Sequence, residues 1–199
     1  VCSSDLGPRL LAGMSEESSA HAEQFLREMG VNILLNKRVV DYRDHKVVLE
    51  DGTEIATRTF IWVSGVTGVT IGNLDASLIG RGGRIKVDSF NRVEGMNNVF
   101  AIGDQCIQLA DENYPNGHPQ LAQVAIQQGE LLAKNLIRME KGQEMKPFHY
   151  RNLGSMATVG RNRAVAEFSK VKMQGWFAWV MWLVVHLRSI QIGRASCRE

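Results

Sequence analysis

Apolar positions early in the chain fall on one helical face and then give way to the two-residue alternation of strands. Ser15 stands before Glu16 and Glu17, Ala22, Phe25, Leu26 and Met29 follow on that face, and Gly30 closes the run. A polar cap, an acidic first turn and a terminal glycine predict a helix there. Residues 31–35 form a short apolar strand. Residues 38–42, 46–50 and 54–57 read as three more strands, with Asp51 and Gly52 making the turn between the last two. Residues 59–64 (TFIWVS) predict a buried strand running into Gly65. Residues 66–83, with five glycines and little periodicity, read as a connection.

The second half repeats the theme with longer elements. Residues 84–88 and 98–103 (NVFAIG) are predicted strands; the latter is almost continuously apolar up to Gly103 and Asp104, as a fully buried parallel strand is. After a polar loop over 111–119, a helix is expected over 120–140, its inner stripe Leu121, Val124, Ala125, Leu132, Leu136 and Met139, with Glu130, Lys134 and Arg138 outward. Gly142 and Pro147 end it. Residues 154–159 and 164–168 alternate like an antiparallel pair, followed by 171–173, and the segment 176–190 (WFAWVMWLVVHLRSI) is apolar and rich in tryptophan. Helix, strand, meander and core strand in this order describe an α/β fold: the second half of a Rossmann-type unit, with the β-meander as its crossover.

Composition narrows the field. With 44% hydrophobic and 22% charged residues the chain has the make-up of a folded protein, not a disordered or collagen-like one. Its 23 Lys and Arg against 21 Asp and Glu leave a net charge of +2, which is no footprint for nucleic acid. The ends, VCSSDL at 1–6 and the residues from 191 to 199, continue no neighbouring pattern and correspond to translated sequencing adapters, so they are set aside as non-native tails and the remainder is expected to be an internal fragment. Cys106 is then the one native cysteine, and neither a disulfide framework nor a C-x-x-C pair is expected. The five histidines show no metal-ligand spacing, and no metal is expected.

The chemistry gathers at the Gly103-Asp104 step and the helix after it. Glycine removes the side chain where backbone must approach a ligand, and the aspartate supplies an acceptor for a hydroxyl. A Gly-Asp pair alone is a common turn. NVFAIGD followed by LAQVAIQQGELLAKNL is far more specific.

On these stretches, together with GPRLL, FIWVSGVTG and PQLAQVAIQQG, the span 7–190 resembles the C-terminal part of type II NADH:quinone oxidoreductases, single-subunit FAD-containing respiratory dehydrogenases. The resemblance implies a fragment of a Rossmann-like flavoprotein with two dinucleotide-binding domains. Residues 7–83 would be the later part of the NAD(H) domain plus a connection, 84–150 the C-terminal part of the FAD domain, and 151–190 a membrane-associating region. It implies that Gly103 and Asp104 meet the ribityl chain of FAD, that Ala122 and Gln123 contact flavin and quinone, that Gln127 is a second quinone-side amide, and that Ser64, Gly65 and Val66 line the NADH side. Gln123 and Gln127, four apart, share a helix face and can present two amides to a quinone carbonyl; two solvated glutamines is the plainer alternative. Some family members carry histidine just before the second glutamine; Ile126 stands there here, so an imidazole relay at that position is absent. No G-x-G-x-x-G occurs, so both phosphate-binding loops are expected upstream and the fragment alone is expected to be inactive.

The expected reaction of the parent is hydride transfer from NADH to FAD and electron transfer to a quinone, without proton pumping. Read as a helix, 176–190 spans roughly 22 Å at 1.5 Å per residue, short of a ~30 Å hydrocarbon core. An amphipathic helix lying in the membrane interface is therefore expected, with its indoles at headgroup level and Lys170, Lys172 and Arg188 facing anionic lipid. That implies a peripheral, monotopic protein on the cytoplasmic face of the cell membrane; a core or dimer-interface helix is the alternative. A soluble NAD(P)H-dependent flavoprotein reductase and a non-catalytic membrane-associated remnant are the competing functions.

Overall fold

The computed structural model describes the chain except residues 1, 6, 64, 70, 170 and 197–199, and describes 2–4 and 189–196 by their backbone alone. The first elements are β1 (Cys2–Ser4), α1 (Glu16–Glu28), β2 (Asn32–Leu34), β3 (Val39–Arg43), β4 (Lys46–Leu49) and β5 (Glu54–Ala56). Next come 3-10 turns at Ala76–Leu78 and Arg81–Gly83, β6 (Ile85–Val87), a further 3-10 turn at Gly103–Gln105, β7 (Cys106–Gln108) and α2 (Ala122–Glu140). The chain continues through β8 (Ser155–Thr158), β9 (Ala164–Phe168), β10 (Val171–Gln174) and α3 (Gly175–Ser196). It divides into two compact units, one made of Val1–Trp62 with Leu153–Glu199, the other of Val63–Asn152.

In the first unit, the predicted start and stop signals act as such. Ser15 is extended (φ −65°, ψ 161°) and its side chain accepts the Ser18 N–H; Glu16 and Glu17 occupy the first turn, and Gly30 at φ +79° ends α1. A carboxylate from β9 reinforces this cap: Glu167 accepts the Ser15 N–H at 2.9 Å and the Ser15 hydroxyl. Burial raises the Glu167 carboxyl, but the bonds from Ser15 and Ser18 outweigh it and hold the group below its ordinary value. β1 and β2 pair in parallel, so the backbone of part of the stretch set aside at 1–6 carries strand structure. β3, β4 and β5 form the expected antiparallel meander, turning at Asp44 and His45, both at positive φ, and again at Asp51 and Gly52. Val47 and Leu49 point inward from β4.

The strand predicted over 59–64 does not form over its described residues. Phe60 stacks on Tyr42 with ring centroids 4.9 Å apart, but Ile61, Trp62 and Val63 are exposed, Val63 by 87%. An apolar run becomes a buried strand only where neighbouring strands complete its ladder, and no ladder reaches these residues.

β8, β9 and β10 make a second antiparallel meander on which α3 packs, Ala178 closing against Ala164 and Ala166, all three fully buried. The one-sided amphipathic helix expected at 176–190 is corrected here. Packing takes one face of α3, yet the outward face carries Trp176, Phe177, Val184 and Leu187, each more than half exposed. The ten residues from Trp176 to Val185 are all apolar, and His186 and Arg188 come only after them. Among the described residues no helix is long and apolar enough to cross a membrane.

In the second unit, β6 and β7 pair in parallel over a core of Ile85, Val87, Val93 and Cys106. The predicted 84–88 strand is thus present, whereas β7 falls where the sequence reading placed none. The strand expected over 98–103 breaks into isolated contacts: Phe100 bridges Arg92, and the Val93 and Ala101 N–H groups bond Val99 and Asn91 carbonyls. Val99 is 47% exposed, so the segment is not the buried central strand its apolar run suggested. The glycines of the connection have a packing role. Gly68 donates to the Gly82 carbonyl at 2.7 Å, and a Cβ on Gly68 would sit 2.3 Å from the Gly83 oxygen.

Candidate functional site

The site is assembled in the second unit, around the Gly103–Gln105 turn and the start of α2. Gly103 takes φ +64°, and a Cβ there would lie 3.3 Å from the Ala125 Cβ of α2. Backbone therefore comes against helix with nothing between them. Its N–H is not left open: the side-chain oxygen of Gln128, a residue 1% exposed, accepts it at 2.7 Å. The thiol of Cys106 is nearby, 3.7 Å from that same oxygen, and burial pushes it above its ordinary value. It is a buried packing residue and not an activated thiol.

Asp104, next in the turn, is exposed and forms no ion pair among the described residues. Its main-chain carbonyl accepts from Gln120 Nε2 at 3.2 Å, tying the turn to the residues that enter α2. α2 begins at Ala122 with Leu121 as its N-cap; no side chain caps it and no acidic residue occupies its first turn. A helix start of that kind offers N–H groups and the positive end of its dipole to an electron-rich partner. Ala122 is exposed and Gln123 half-buried at this end. A hydroxylated, electron-rich cofactor fits what stands beside this packed turn: an open carboxylate at Asp104 and an uncapped helix start.

Gln127 is otherwise employed. Its Nε2 donates to the Arg151 carbonyl at 2.9 Å and its Oε1 accepts the Arg151 N–H at 3.0 Å, as a strand neighbour would. One N–H and one lone pair of that amide stay uncommitted by these two bonds. Asn135, 1% exposed, does the same for Lys146, and Gln105 for Val69. Between them, Gln127 and Asn135 strap residues 146–151 along α2. The buried stripe of α2 is correspondingly Val124, Gln128 and Asn135, and the predicted inner positions Leu121 and Leu136 are exposed instead. Amides with defined partners, not leucines, select the inward face.

Of the remaining predicted residues, Gly65 and Val66 lie in an exposed irregular stretch, and Ser64 is outside the described residues, as are the predicted lipid-facing Lys170 and part of the C-terminal tail. Among the described residues no group of His, Cys, Asp and Glu is arranged to hold a metal ion. Sequence reasoning missed Gln128, Asn135, Arg84 and His118. Arg84 is buried and donates Nε to the Cys106 carbonyl at 2.6 Å and Nη2 to the His118 carbonyl at 3.1 Å. The signal for the amides was their spacing from Val124, four and eleven residues on, which puts all three on one helix face; nothing in the sequence marked Arg84.

A family model described as pyridine nucleotide-disulphide oxidoreductase matches residues 4–129. The chain is 36% identical over 92% of its length to the type II NADH:quinone oxidoreductase NdhA of Mycobacterium tuberculosis, of which it covers 40%. It is 32% identical over 91% of its length to the internal alternative NAD(P)H-ubiquinone oxidoreductase A1, mitochondrial, of Arabidopsis thaliana, of which it covers 38%. In fold it is similar to the structure of NDH2 from Plasmodium falciparum in complex with NADH, with a TM-score of 0.82 and 18% identity over 94% of this chain and 54% of that one. The chain thus spans about two fifths of the length of these curated relatives.

Proposed function

The chain belongs to the pyridine nucleotide-disulphide oxidoreductase family, and on that footing we propose that its parent polypeptide is a type II NADH:quinone oxidoreductase, using FAD and NAD(H) and passing electrons to a membrane quinone without pumping protons. The observation that carries this reading is the Gly103 backbone lying against Ala125, anchored by Gln128, beside the uncapped start of α2.

FAD bound there would supply the two-electron relay between a hydride donor and a quinone. Gly103 lets the turn close against Ala125 of α2, and Asp104, presented by that turn, would accept from the ribityl hydroxyls of the cofactor. The N–H groups at the start of α2 favour negative charge at that position. Gln123 donates to a quinone carbonyl. Gln127 adds its uncommitted N–H while holding the strap at Arg151. Gly65 and Val66 border the nicotinamide side. The outward apolar face of α3 seats the protein in the cytoplasmic leaflet of the cell membrane as a peripheral protein, with burial of its aromatic side chains as the driving force.

The test is made on the full-length protein. Purified without added cofactor, it should show a flavin absorption spectrum, bleach on addition of NADH and recover its colour on addition of a short-chain quinone. A protein with no flavin, or one whose NADH-reduced flavin is reoxidised by oxygen and not by quinone, overturns the reading.

A further inference from the structure

The loop that delivers the chain into α2 is built on a buried pair the redox reading does not use. His118 is 1% exposed, and its Nε2 lies 2.9 Å from Asp111 Oδ2. The other oxygen of Asp111 accepts the Asn113 N–H at 3.0 Å, so the carboxylate joins the two ends of the loop. Three rings enclose the imidazole: Tyr114 at 5.1 Å, Phe148 edge-on at 5.2 Å and Tyr150 at 5.8 Å between centroids. Arg84 holds the main chain of His118 from below.

This arrangement is poor as mere filling. His118 Nδ1 and the Tyr150 hydroxyl are both buried without a hydrogen-bond partner among the described residues, and a polar atom left so is costly. An apolar side chain would fill the same space without that penalty. What the pair supplies is direction: a carboxylate–imidazole bond fixes a ring where a hydrocarbon contact leaves it free to slide. Two residues beyond His118, Gln120 grips the Asp104 carbonyl, and two residues further α2 starts with no side-chain cap of its own. The approach to that helix start is therefore fixed by the loop, in addition to the anchor that Gln128 gives from within the helix.

We propose that Asp111 and His118 are positioning residues for the electron-transfer site, a latch that sets where the α2 start, Ala122 and Gln123, meets flavin and quinone. Neither touches the reactants. The inference rests on the flavin reading above. Misplacement of about 1 Å at a reacting centre can cost about a hundredfold in rate, so a loosened latch should be visible in the quinone step.

The experiment compares the full-length wild type with His118→Phe, His118→Gln and Asp111→Asn. In His118→Phe, the KM for quinone should rise at least about tenfold, while flavin reduction by NADH in single-turnover mixing stays within about twofold. Hydrogen exchange of the peptide spanning 110–125 should quicken, with FAD content retained. His118→Gln, which keeps a donor toward Asp111, should recover most of the quinone KM and the slow exchange. If His118→Phe fails to fold, Asp111→Asn carries the same readouts with the shape preserved. Unchanged quinone KM and unchanged exchange in a folded, flavin-loaded variant overturn the latch alone. Absence of flavin from the wild type removes the redox reading, and the latch with it.

Discussion

The buried side-chain amide of Gln128 holds the backbone N–H of Gly103 across 2.7 Å, joining the middle of α2 to the turn that precedes β7. Replacing Gln128 by Leu keeps the volume and deletes the acceptor. The stranded N–H should cost about 1–3 kcal/mol of stability, read as a lower denaturant midpoint, and the full-length flavoprotein should lose FAD more readily on dilution. An unchanged midpoint would mean that the Gly103 N–H finds water instead.

Gly103 itself is predicted to resist the smallest substitution. Gly103→Ala places a Cβ at φ +64° and 3.3 Å from Ala125. The left-handed backbone alone costs about 1–2 kcal/mol. Thermal denaturation should show that loss, and flavin fluorescence should report free FAD at concentrations where the wild type holds it. Gly95, also at positive φ but with open space around it, serves as the comparison: alanine there should cost stability without releasing flavin.

Acid should weaken the loop that leads into α2. The hydrogen bond from His118, with smaller help from Asn113, holds the Asp111 carboxyl below its ordinary value. A carboxyl depressed in the folded state contributes stability above its unfolded value and loses it as pH falls through the folded one. The denaturant midpoint should therefore drop on acidification below the ordinary aspartate range, and Asp111→Asn should flatten that limb. An Asp111→Asn protein with the same acid limb as wild type would show that other carboxylates, Glu167 among them, account for it.

The outward face of α3 can be tested without disturbing its inner one. Phe177→Glu with Val184→Glu leaves Ala178 in place against β9. Burying each such side chain is worth about 1.5–3 kcal/mol, so binding to anionic vesicles should fall by more than about tenfold while the fold persists. Vesicle flotation measures it, and light scattering checks the alternative that this face joins two copies of the chain.

What could be read from the sequence was local. α1 announced itself through Ser15, Glu16, Glu17 and Gly30, the β4–β5 turn through Asp51 and Gly52, and β9 through alternation alone; each signal acts within a few residues and does not depend on distant chain. The apolar runs at 59–64 and 98–103 were misjudged because burial is decided by neighbours that periodicity does not name. Composition misled in α2 for a related reason. Leucine at 121 and 136 looked like core, yet the interior went to Gln128 and Asn135, whose partners at Gly103 and Lys146 lie 25 and 11 residues away. The helix after the Gly103-Asp104 step was legible because its apolar spacing and the closing Gly142 are local signals; the latch at Asp111 and His118 was not, since either residue alone suits any polar loop.

The straps at Gln127 and Asn135 also bear on how this part of the molecule comes apart. A ladder of main-chain bonds opens like a zip, each rung shielding the next. Two side-chain rivets hold residues 146–151, one near each end, with the Phe148 N–H bonded to the Ser89 carbonyl between them, and drawing one leaves the others seated. The segment should thus peel from whichever end is pulled, well before α2 unwinds, giving a partly undone form in which the helix persists and its flank is bare.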